Sequence, residues 1–136
     1  MNGTNIVDTM MRHDYFSQWL GINIERVDIG ACLLSMTIRK DMLNGFGIAH
    51  GGITYSLADS ALAFASNSKG QRSVSIETSV SHLVSLKEGD VILADALCEA
   101  ESPKLGHYKV RVFLQQAPDT TVALFKGIVY KTSQAW

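Results

Sequence analysis

The chain predicts an α+β fold in which an antiparallel sheet curls around one long central helix, with a short helix ahead of it. Three observations carry this expectation. A long, nearly all-apolar segment follows the glycine pair Gly51-Gly52 and runs as far as Gly70. Four segments after it alternate with a period of two. The long segment also spreads its small residues, Ala58, Ala61, Ala63 and Ala65, over several helical faces. Such a helix is buried on most sides, by a sheet wrapped around it and by a second subunit over what remains.

Each element has its own local reason. Residues from about 8 to 20 place Met11, Tyr15, Phe16, Trp19 and Leu20 at helical spacing, which predicts a short amphipathic helix packed as a lid on the core. Strands follow at about 22–29 and 31–39, the second alternating Leu34, Met36 and Ile38 with Ser35, Thr37 and Arg39. The central helix is expected from about His50 to Ser68, ended by Gly70. Residues 73–84 set Val74, Ile76, Thr78 and Val80 on one face and Ser73, Ser75, Glu77, Ser79 and Ser81 on the other. Residues 91–101 oppose Ile92, Ala94, Ala96, Cys98 and Ala100 to Asp95, Glu99 and Glu101. Residues 106–116 and 120–131 complete the set, with turns expected at Gly89-Asp90 and Pro118-Asp119.

A length of 136 residues suits one domain, expected over 1–136, with a single core. Apolar content of 46% against 18% charged residues excludes a disordered chain. A net charge of -1, with no basic run, argues against nucleic acid or an anionic membrane as partner. Cys32 and Cys98 lie in apolar, strand-like runs with no metal-ligand spacing, so both read as free thiols in a reducing compartment. The N-terminal residues lack a secretory pattern, and no apolar run reaches membrane-spanning length. The expected location is the cytoplasm.

Chemistry concentrates between Asn44 and Asn67. Glycines at a helix entrance let a ligand approach the backbone, and the unpaired N–H groups there attract developing negative charge. Asp59 is the one charge in the helix that follows, flanked by Leu57, Ala58, Ala61, Leu62 and Phe64. A carboxylate in that setting is costly unless it has a task or a partner. His50 and Asp59 are nine residues apart, which puts them on opposite helix faces and about 13 Å apart along the axis. One chain does not easily bring both to one reacting atom, so either they are unrelated or the site forms between two chains. Bland roles compete: His50 as a buried histidine bonding a backbone carbonyl, Gly51 and Gly52 as close-packing residues, Ser75 as part of a solvent face. His82 and His107 have no metal-ligand spacing, so no metal is expected.

The pattern Asn44-x5-His50-Gly51-Gly52-x6-Asp59, joined by Leu43-Asn44-Gly45 and Ser56-Leu57-Ala58-Asp59, resembles the hotdog-fold acyl-CoA thioesterases, and within them the PaaI-type (phenylacetic-acid pathway) branch. The likeness runs over essentially the whole chain. It implies that the Gly51 amide polarises the thioester carbonyl and that Asp59 of a partner chain acts as nucleophile or as general base for water. It further implies that Asn44 and His50 shape and orient the oxyanion loop, and that Ser75 positions the lytic water. Gly52 would border the substrate, and Arg72, Lys104 and Lys126 are candidates for the coenzyme A phosphates. The implied partners are an acyl-CoA and further copies of the chain, as a dimer or a tetramer, with no cofactor. Two alternatives stay open: a hydratase or dehydratase of the same fold acting on acyl thioesters, and a non-catalytic acyl-CoA-binding protein.

Overall fold

The computed structural model describes residues 1–136. Along the chain run α1 (Gly3–His13), α2 (Tyr15–Leu20), β1 (Asn23–Asp28), β2 (Ala31–Thr37), a 3-10 turn (Lys40–Met42) and α3 (Gly51–Asn67). Four strands follow: β3 (Gln71–His82), β4 (Val91–Glu101), β5 (Leu105–Leu114) and β6 (Ala117–Ala135). All six strands form one antiparallel sheet in the order β1-β2-β4-β5-β6-β3. The expected sheet around a central helix is therefore present, and α3 packs against β2, β3, β4, β5 and β6.

Period-two patterning explains how the sheet closes on the helix. Cys32, Leu34 and Met36 of β2, Ile92, Ala94 and Ala96 of β4, and Tyr108, Val110 and Val112 of β5 all point inward and are buried. They meet Leu57, Ala58, Ala61, Leu62, Phe64 and Ala65 of α3 in one core. Alanines on both sides of the contact allow close approach. Gly127 of β6 marks its limit: a Cβ there would stand 2.5 Å from Leu62 Cδ2.

Three local expectations are corrected. The N-terminal helix is two helices, because Asp14 ends α1 and caps α2, its carboxylate accepting from the Ser17 N–H at 3.0 Å. That break turns the aromatic stripe outward. Ile6, Val7, Ser17 and Leu20 are buried, while Tyr15, Phe16 and Trp19 stay exposed, Phe16 stacked on Trp19 and Arg39 over the Trp19 ring. The turn between β5 and β6 lies at Gln115-Gln116, and Pro118-Asp119 is already strand, with the Pro118 carbonyl accepting from Arg111.

The third correction concerns β3. Its pairing with β6 steps from Ser75↔Val129 to Glu77↔Ile128, so Ile76 is an extra residue, a β-bulge. A bulge shifts the alternation by one. Ser73 and Ser75 consequently share the helix-facing side with Thr78 and Val80, and Glu77 and Ser79 point to the outer face. Thr78 confirms the inward side through its hydroxyl contact with Tyr55 of α3. β3 is also an edge strand, and Val74 and Ile76 remain 56% and 59% exposed, so this edge of the sheet is left uncovered.

Candidate functional site

The loop before α3 is built by its own hydrogen bonds. Asn44 Oδ1 accepts from the Phe46 N–H at 2.9 Å, and the Asn44 N–H donates to the Ile48 carbonyl at 2.8 Å. Gly47 takes a positive φ of 78°, which closes the turn. The His50 N–H donates to the Met42 carbonyl and the Ala49 N–H to the Leu86 carbonyl, so the loop enters the helix along a fixed path.

His50 is the N-cap of α3. Its Nδ1 accepts the Gly52 N–H at 3.0 Å. The ring is exposed rather than buried, and its backbone partner is an amide hydrogen, not a carbonyl. This cap consumes the Gly52 donor and leaves the Gly51 N–H, at the first helical position, without a partner in the chain. Gly51 lines a cavity with Asn44, Ile48, Thr54 and the last residue of β3, His82. The imidazole of His82 lies against Gly51, its Nε2 3.2 Å from where a Cβ on that residue would stand.

Asp59 lies two turns further along α3 and opens into a different cavity. Its neighbours there include Met10, Leu62, Ala63, Ser73, Ser75 and Val129. The β3 bulge is what brings Ser75 to it. No ion pair of the chain includes Asp59. Its pKa is raised above the ordinary aspartate value, mainly by burial and secondarily by the charge of Asp14. A half-buried carboxylate without a cation is poised to accept a proton or to attack an electrophile.

The chain therefore groups Asn44, Gly51 and His82 at one place and Asp59 and Ser75 at another. His82 has no metal-ligand spacing in the sequence, and it joins this cavity only because β3 ends beside the α3 entrance. No cluster of three His, Cys, Asp or Glu side chains is arranged to hold a metal ion. The basic candidates are dispersed. The Arg72 guanidinium lies 4.5 Å over the Trp136 ring, Lys104 Nζ is 5.9 Å from the Tyr130 ring centre, and Lys126 lines a groove with Glu77, Ser79 and His107. None of the three lines either cavity.

Residues 46–120 match the family model described as the thioesterase superfamily. The chain is 36% identical over 118 residues to the acyl-coenzyme A thioesterase PaaI of Escherichia coli strain K12, covering 87% of this chain and 83% of that protein. The solved structure of the E. coli PaaI protein superposes with a TM-score of 0.93, at 32% identity over 98% of this chain and 95% of that one. A Streptococcus mutans protein solved bound to acetyl-CoA superposes with a TM-score of 0.80, at 25% identity over 85% of this chain and 91% of that one.

Proposed function

Because the chain belongs to the thioesterase superfamily, we propose that its two cavities are halves of one acyl-CoA-hydrolysing site completed where two copies meet. The activity is hydrolysis of an acyl-CoA thioester to the free acid and coenzyme A. One observation carries the shared-site reading: Asn44 and Gly51 open into one cavity of the chain, and Asp59 and Ser75 into another. Gly51 and Asp59 are eight residues apart on a rigid helix, about 12 Å along its axis. A second copy placed against the uncovered β3 edge supplies the missing half in each case, in a two-fold arrangement.

In this arrangement the Gly51 N–H, at the positive end of α3, donates to the thioester carbonyl oxygen and stabilises the negative charge that develops there. Asn44 and the His50 cap hold the loop in register. Asp59 of the partner subunit works on the carbonyl carbon from the other side. As general base it takes a proton from a water held by Ser75; as nucleophile it forms an acyl-aspartate that water then opens. Either route expels coenzyme A as the leaving group. The same reading gives one domain over 1–136 and a cytoplasmic setting, supported by Cys32 and Cys98 both being free thiols.

A thiol-release assay over phenylacetyl-, hydroxybenzoyl-, short-chain and long-chain acyl-CoAs tests the function. Turnover of at least one class, abolished in Asp59→Ala, is expected. Equal turnover by folded Asp59→Ala would falsify the role given to that residue.

A further inference from the structure

We propose that His82 is a second donor to the substrate carbonyl oxygen, working beside the Gly51 amide. The proposal rests on the acyl-CoA hydrolysis reading and adds a side chain to its oxyanion-binding half. His82 closes β3, and its backbone position is fixed by pairing with Ala123 of β6 and by the Leu83 N–H, which donates to the Val122 carbonyl at 2.8 Å. The contact between Tyr55 and Thr78 ties β3 to α3. The ring therefore reaches Gly51 from a rigid frame, with Nε2 and Cε1 at 3.2 and 3.5 Å from a Cβ built there.

Ring hydrogen bonds within the chain belong to His13 and His50, which leaves the nitrogens of His82 uncommitted. A neutral imidazole with its proton on Nε2 offers one donor toward the space in front of the Gly51 N–H. Two donors of different origin then converge on one oxygen, the arrangement that stabilises a tetrahedral intermediate. On that reading the base is already supplied by Asp59 of the partner subunit, so the place left for His82, beside Asn44 and Gly51, is on the carbonyl side.

The test uses the assembled protein and the acyl-CoA that the wild type turns over fastest. Losing one such donor lowers kcat about 10²-fold, so His82→Phe should show that loss with KM changed by less than about threefold. His82→Gln keeps an N–H donor near the same point and should recover most of kcat. A second readout uses the acetyl-CoA analogue in which a methylene replaces sulfur: its bound ketone C=O stretch should lie lower in wild type than in His82→Phe. A His82→Phe protein with wild-type kcat and wild-type stretching frequency overturns the proposal, as does equal impairment of the Phe and Gln variants. Absence of thiol release by the wild type on every acyl-CoA overturns the functional reading and this one together, so the two failures are told apart by the wild-type arm.

Discussion

Asp14 caps α2 with its carboxylate and also raises the pKa of Asp59 in α3. It sits between α1 and α2 and reaches α3 through the Ser17 hydroxyl, which donates to its carboxylate at 2.6 Å and meets Ser60 Oγ at 2.8 Å. On the proposed function, the acid limb of catalysis is thus set in part from outside the cavity that Asp59 lines. An essential base must be ionised, so activity is lost as pH falls through its pKa. Burial and Asp14 both push that pKa up, so the limb should lie above the position an ordinary aspartate gives. Asp14→Asn keeps an oxygen for the Ser17 N–H and removes the charge. The acid limb of kcat/KM should move to lower pH, though not all the way to the ordinary range, because burial is the larger cause. An unmoved limb dissociates Asp14 from the reaction.

Asp59→Asn should trade activity for stability. Turnover should fall by at least about 10²-fold, the scale of losing a positioned base. A carboxyl whose folded pKa is raised binds more protons folded than unfolded as pH climbs through the interval between the ordinary and raised values. Its ionisation thus costs stability above that interval and nothing below it. The variant should melt at a higher temperature than wild type at neutral pH, and the gain should vanish once pH drops below the ordinary aspartate range. Thermal scans at both pH values check the sign.

Gly51→Val should fold and lose turnover. The added side chain meets His82 Nε2 at 3.2 Å and fills the approach to the amide. Normal kinetics in a folded, assembled Gly51→Val protein mean that the carbonyl binds elsewhere.

Mixing two dead proteins tests the shared site. Asn44→Ala and Asp59→Ala, unfolded and refolded in equal amounts, should pair at random, and each mixed dimer holds one site with both residues intact. Roughly a quarter of wild-type activity should return. A mixture that forms mixed dimers and stays inactive places the whole site within one chain.

Gly127→Ala should destabilise without any catalytic cause. Its Cβ would collide with Leu62, and overpacking of this kind costs about 1–3 kcal/mol. Leu62→Ala is itself destabilising, since Leu62 is buried, but the double variant should lose less in urea denaturation than the sum of the two single losses, since the two side chains compete for one space.

How far the sequence spoke depends on whether a feature is local. The central helix was expected from about His50 to Ser68 and runs Gly51–Asn67 with those two residues as its caps, because glycine entry, apolar run and terminal Gly70 are all near neighbours. The strand segments were equally readable from their alternation. What alternation does not reveal is an inserted residue: the bulge at Ile76 reverses the faces of half of β3 and makes Ser75, which alternation alone puts on a solvent face and only the family resemblance offered as a site residue, a neighbour of Asp59. The outward turn of Tyr15, Phe16 and Trp19 was hidden for a similar reason, since one capping aspartate restarts the helix in a new direction. His82 stayed invisible because its proximity to Gly51 arises from β3 pairing with β6, which is far away along the chain.

The separation of the two cavities along α3 gives the isolated chain a default state. On the shared-site reading, a nascent or highly diluted subunit holds the carbonyl-binding end and the carboxylate end of the chemistry out of each other's reach. It is dormant until it finds its like. Specific activity should then fall on dilution as dimers part, and a cell making little of this protein would hydrolyse disproportionately little thioester.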